Sequence, residues 1–195
     1  MARIEVPRSD WPAVLDIRFT IPLIIFAIPA LAFLVPLTLI HSQRLGASPS
    51  RTLWNGVAVA YLIGVAAVAF FPFQVNIGEY ANQGPWWSII NPWPIVTIDI
   101  RTFLLNILMT APLGFLLPML TRVNTFGRVV LAGALFSLGI EITQIWFGVF
   151  GATRTADVND LIANTLGAAI GFAVFALVSP QREIRRLFPE PVLQR

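Results

Sequence analysis

The sequence predicts an all-α integral membrane bundle of about five transmembrane helices, and three observations lead there. Apolar residues make up 56% of the 195-residue chain and charged residues only 12%, about half the charged share of a soluble domain. Mean hydropathy is +0.76. Five apolar runs each approach the roughly 20 residues that a helix needs to cross a bilayer. One membrane domain over residues 1–195 is the organisation expected.

Residues 1–18 are mixed and interfacial, with Pro7, Trp11 and Pro12. The first apolar run, Phe19–Ile40, is too long for a signal-peptide core and lacks a small-residue cleavage site, so it reads as a retained span. Pro22, Pro29 and Pro36 fall at seven-residue intervals on one face of it. Each lacks a backbone donor, so the helix is expected to bend away from that face. The next spans are Leu53–Phe71, Thr102–Leu120, Arg128–Phe147 and Asp157–Val178. Between the second and third lies Pro72–Arg101, where GPWWSIINPWP holds three tryptophans and three prolines. Tryptophan concentrates at headgroup level, so this loop is expected at the interface, as an anchor in preference to a stacking platform for a sugar or headgroup. No internal repeat is evident.

Five spans put the termini on opposite sides. Eight of the 13 basic residues, all arginine, fall in loops 41–52 and 121–128 and in the C-terminal tail. The other five are Arg3, Arg8, Arg18, Arg101 and Arg154. The positive-inside rule then places the N-terminus outside and the C-terminus in the cytoplasm of a bacterial cell, as a multi-pass protein. Arg101, Arg154, Asp157 and Asp160 would face outward.

Several chemistries are excluded. Cysteine is absent, His41 is the single histidine and no lysine occurs. Thiolate nucleophiles, Schiff bases, HExxH metal sites and Ser–His–Asp triads are therefore ruled out. The net charge of +3 is a matter of loop topology and not a nucleic-acid footprint. No cofactor is implied. The stretch DVNDL lacks the glycine and distal glutamate of a calcium loop, so no metal is expected.

Polar residues fall in three helical stripes: Thr102, Asn106, Thr110 and Gly114; then Gly133, Ser137, Glu141, Gln144 and Gly148; then Asp157, Asp160, Asn164, Gly167 and Gly171. Small residues let helices approach, and polar ones bond across the contact, so the three stripes are expected to face one another. At 1.5 Å per residue, Glu141 lies roughly 20 Å beyond Arg128. Glu141, Gln144, Asn106 and Asn164 thus share one level in the outer leaflet, beneath Arg101, Arg154, Asp157 and Asp160. Ordinary structural roles exist for most of these groups: Asp157 is a natural N-cap, Asp160 suits the helix dipole, and the asparagines can be interhelical glue. Glu141 is the exception, because an ionisable group inside a bilayer marks function by default.

With those residues in view, the chain resembles the VanZ family of small bacterial membrane proteins. The resemblance rests on NILMTAPLGFLLPML (Asn106–Leu120), FSLGIEITQ (Phe136–Gln144) and RTADVNDLIANTLG (Arg154–Gly167), within about residues 100–178. It implies that Asn106, Glu141, Gln144, Arg154, Asp157, Asp160 and Asn164 occupy the family's recurrent polar positions. It also implies a cell-envelope role, since the founding member is associated with low-level resistance to the glycopeptide antibiotic teicoplanin.

Three functions fit. The favoured one is an envelope protein with an outward pocket that binds an anionic membrane lipid or lipid-linked wall precursor, with Arg154, Arg101, Gln144, Asn106 and Asn164 as ligand-binding residues. The alternative is an intramembrane enzyme on a lipid-linked substrate. There Glu141 would be the general acid or base, Asp157 or Asp160 its ionised partner, and Arg154 the stabiliser of developing negative charge. A proton-coupled carrier relaying through Glu141 comes third, and at this size it would require a homo-oligomer.

Overall fold

The computed structural model describes residues 17–78, 84–149, 155–181 and 188. Five helices among these are long and apolar enough to span a membrane: α1 (Leu23–Arg44), α2 (Pro49–Phe70), α3 (Ile100–Leu120), α4 (Phe126–Val149) and α5 (Val158–Val178). In hydrocarbon every backbone N–H and C=O needs an internal partner, and a continuous helix supplies one for nearly all of them. Large apolar side chains along these helices stay exposed, among them Phe33, Leu108, Leu131 and Leu177. Such a surface suits acyl chains.

Helix ends follow local chemistry. Ser48 caps α2 by accepting from the Arg51 N–H, with Pro49 at the first helical position, where its missing donor costs nothing. Asp99 caps α3 through the Arg101 N–H, and Asp157 caps α5 through the Asn159 N–H. The chain leaves α1 through Gly46, whose φ of 71° lies in the left-handed region that glycine tolerates.

The first span departs from expectation at its start. Ile17–Ile21 is a strand, β1, paired antiparallel with β2 (Phe73–Ile77) in the register Ile17↔Ile77 to Ile21↔Phe73. The helix begins only after Pro22, because proline disfavours helical backbone at the residue before it. At its other end α1 continues through His41 and Ser42 to Arg44, four residues past the apolar run. The loop after α2 is also more ordered than a bare connection. It holds β2, a short 3-10 turn at Trp86–Ile89, and β3 (Ile90–Asn91), which pairs in parallel with β4 (Ala156–Asp157).

Helices α3 and α5 form the most extensive helix pair, followed by α1 with α2 and α4 with α5. The intimacy of α3 and α5 depends on glycine. A Cβ added at Gly114 would overlap the Ala168 carbonyl oxygen, and one at Gly171 would overlap that of Ala111. Backbones in such contact gain dispersion that larger side chains would prevent. A separate apolar cluster of Val65, Ala69 and Ile140, flanked by Tyr61, Met109 and Phe136, joins α2 to α4 and α3.

Candidate functional site

The three polar stripes do meet. Thr110 on α3 is fully buried, and its hydroxyl lies 2.8 Å from the Asn106 carbonyl and 2.9 Å from the Asn164 carbonyl. Asn164 on α5 donates from Nδ2 to Ser137 Oγ on α4 at 2.9 Å. One helix turn beyond Ser137, Glu141 accepts the backbone N–H of Asp157 on Oε2 at 2.8 Å. Gln144 donates from Nε2 to the Ala69 carbonyl of α2 at 3.2 Å. Four helices are thereby tied together through side chains of the three stripes, with Asn164 meeting Ser137 one turn before Glu141.

This network is not closed. Glu141 Oε1, Gln144 Oε1, Asn164 Oδ1 and Asn106 Nδ2 are buried and have no hydrogen-bond partner. Unpaired polar atoms away from water are destabilising by about 1–3 kcal/mol each, so their concentration in one region is unusual in a native fold.

Beside Gln144 opens a cleft of about 300 Å³. Helix α3 and its cap contribute Asp99, Thr102 and Phe103, and the loop before them contributes Thr97. The remaining wall is Thr155, Asp157, Asn159 and Asp160 at the entrance to α5. Asn159 holds these walls together. It is 3% exposed; its Oδ1 accepts the Ile95 N–H at 2.7 Å, and its Nδ2 reaches the Trp93 carbonyl, Thr97 Oγ1 and Asp157 Oδ1. Asn91 donates to Asp157 Oδ2 at 2.9 Å and to Thr97 Oγ1 at 2.7 Å. Asp99 is exposed, and its carboxyl is held below its ordinary pKa chiefly by the Thr102 hydroxyl, then by the Arg101 N–H. No group of three or more His, Cys, Asp or Glu among the described residues is arranged to hold a metal.

Of the residues expected from the sequence, Gln144, Asp157 and Asp160 line the cleft. Glu141 is bonded to the cleft residue Asp157 without being among the lining residues. Asn106 and Asn164 belong to the buried network among α3, α4 and α5. Arg101 is exposed at the first turn of α3, where its backbone N–H meets Asp99. Arg154 lies outside the described residues. Sequence reasoning passed over Asn159, Asn91, Thr97 and Asp99. Asp99 had a signal, an aspartate directly ahead of an apolar run; Asn91, in Asn-Pro-Trp-Pro, had that of a turn former.

Residues 54–179 match the family model described as VanZ/LLP1. The chain is also similar to a curated relative, "Protein VanZ" of Enterococcus faecium, at 26% identity over 137 residues, or 70% of this chain and 82% of that protein. No solved structure matches.

Proposed function

The chain belongs to the VanZ/LLP1 family, and on that premise we propose that it acts in the bacterial cell envelope by binding, in the cleft beside Gln144, the polar head of a membrane lipid or lipid-linked wall precursor. The head is anionic at its phosphate, which meets Arg101 at the first turn of α3. The N-terminus lies outside and the C-terminus in the cytoplasm, so the cleft opens outward. Occupancy contributes to tolerance of teicoplanin-type glycopeptides.

The observation that carries this reading is a polar cleft of about 300 Å³ set among helices whose other exposed surfaces are largely apolar. The volume is at the lower end of small-molecule sites, enough for a headgroup while the acyl chains stay in the bilayer. Arginine is suited to the phosphate because its planar fork donates to two oxygens at once. Gln144 supplies a buried polar atom, Oε1, to the wall.

Lipid extraction from the purified full-length protein, followed by mass spectrometry, tests the binding. A phosphate-bearing lipid should be enriched over the bulk membrane, and Gln144→Ala should lose the enrichment. A co-purifying mixture identical to bulk lipid would defeat the reading. Tolerance is tested by expression in a susceptible host, where an unchanged inhibitory concentration of teicoplanin would remove that part. The chain has no cysteine, so orientation can be read from Leu45→Cys and Val96→Cys. An impermeant thiol reagent applied to intact cells should label only the second.

A further inference from the structure

Beneath the cleft, α3, α4 and α5 carry matched residues at steps of four, each step being one helical turn of about 6 Å along a shared face. The upper level holds Asn106 and Glu141, one turn inward from the Thr102 end of α3 and just behind Asp157. The middle level is bonded across the helices: Thr110 reaches the Asn164 carbonyl and Asn164 reaches Ser137, both at 2.9 Å. One turn further in, the lowest level is closed by direct contact. Ala168 is fully buried, and a Cβ added at Gly114 or at Gly133 would overlap it.

The polar atoms without partners fall in the upper two levels and at the cleft. Glu141 Oε1, Asn106 Nδ2 and Asn164 Oδ1 are buried and unpaired, and so is Gln144 Oε1, one turn nearer the cleft, which Gln144 lines. From Gln144 to Glu141, Ser137, Asn164, Thr110 and Asn106, each residue is one helical turn or one hydrogen bond from the next. The set mixes acceptors with a donor. An anion can meet only the donor. A bare cation can meet the oxygens but faces the positive end of the Asn106 amide. Water carries both kinds of group, so about two molecules suffice, and it matches the Glu141 carboxyl in either protonation state.

We propose that the cleft continues inward past Gln144 as a one-sided well of ordered water, which bridges Glu141 Oε1, Asn106 Nδ2 and Asn164 Oδ1 and stops at the floor made by Gly114, Gly133 and Ala168. Glu141 is then in contact with solvent on the cleft side of the membrane and sealed from the other side. A carboxyl so placed equilibrates with one compartment only, and a proton taken up there returns the way it came. The well needs no bound headgroup, so it goes beyond the reading of the cleft as a lipid site.

The test uses full-length, isotope-labelled protein in lipid bilayers and solid-state NMR with magnetisation transferred from mobile water. Glu141→Gln identifies the carboxyl resonance. Transfer should reach the Glu141 carboxyl and the Asn106 and Asn164 side-chain amides within the mixing time that reaches Thr102 in the cleft. Over the same time it should be lost at Gly114 and Ala168. Gln144→Leu, which places an apolar side chain at the neck, should abolish transfer at Asn164 while exposed Asp99 keeps it.

Transfer to Glu141 and Asn164 as slow as to Ala168 in the parent protein overturns the well, whatever the variant does. Transfer to Gly114 and Ala168 equal to that at Asn164 overturns the floor and makes the path continuous. Persistence at Asn164 in Gln144→Leu overturns the route past Gln144. Exchanging sodium for a bulky organic cation in the buffer should leave the Glu141 and Asn164 resonances in place. A displacement that saturates with sodium would assign the site to a cation and overturn water as its occupant.

Discussion

Glu141 Oε2 accepts the backbone N–H of Asp157 at 2.8 Å, across 16 residues of sequence. This bond joins the C-terminal half of α4 to the cap of α5, at the cleft wall that Asp157 helps to form. Glutamine retains an oxygen that can accept from the same N–H, whereas alanine leaves that N–H without a partner. Glu141→Ala is therefore expected to destabilise the protein by about 1–3 kcal/mol, seen as a lowered midpoint in thermal unfolding in detergent. Glu141→Gln should stay near the parent, because it keeps the bond and removes a buried titratable group. A large loss in the glutamine variant would show that the carboxylate itself is required.

Asp157 has two separable duties. Its Oδ1 caps α5 through the Asn159 N–H at 2.7 Å, and its carboxylate lines the cleft. Asp157→Ala removes both and should destabilise by about 0.5–2 kcal/mol, whereas Asp157→Asn preserves the cap. Circular dichroism melts of the two variants, compared side by side, check the cap on its own.

Asn159 connects the loop at 93–97 to α5 through its amide. Ile95 sits at φ 68°, a strained conformation for a β-branched residue, and the bond from its N–H to Asn159 Oδ1 helps to hold it there. Asn159→Ala should release the segment. Faster amide exchange at Ile95, with the interiors of α3 and α5 unchanged, is the expected signature; unchanged exchange would show that the loop is held elsewhere.

Asp99 gives a pH dependence with a definite sign. Its folded carboxyl titrates below the ordinary value of 3.8, chiefly because the Thr102 hydroxyl donates to it. A depressed folded pKa contributes stability above the unfolded value, and that stability is lost as pH falls through the folded one. The start of α3 should hold at pH 5 and loosen only below 3.8. Carboxyl carbon shifts in an Asp-labelled sample follow this directly, and Thr102→Ala should move the midpoint upward.

The contact of α3 with α5 should not tolerate a side chain at Gly114, which faces the Ala168 carbonyl. Gly114→Val is expected to cost about 1–3 kcal/mol through overpacking, with loss of the Thr110–Asn164 and Asn164–Ser137 bonds that depend on the same approach. Gly127, where an added Cβ meets nothing within 4 Å, supplies the control. Gly127→Ala should leave the melt unchanged.

Much of this is legible in the sequence. Hydropathy alone located five spans, because hydrocarbon demands internally satisfied helices of a set length. Helical periodicity grouped Thr110, Ser137 and Asn164 on stripes that do bond to one another, since residues three and four apart must share a face. Asp157 read as a cap, and it is one. What the chain did not disclose was how segments distant in sequence meet. The strand at Ile17–Ile21 resembles the start of a helix until Phe73–Ile77 is there to pair with it. Asn159 looks like one more helical polar residue until the loop at 93–97 folds over it. The chemistry of the cleft also belongs to this second class. The arginines pointed to an anion, but only the fold shows that Asp99, Asp157 and Asp160 stand among the described wall residues and that Thr97, Thr102 and Asn159 spend their donors on neighbouring protein groups. Periodicity fixes which face of a helix a residue occupies. Which hydrogens and lone pairs remain available there depends on partners brought in from elsewhere in the chain, and only the folded arrangement decides that.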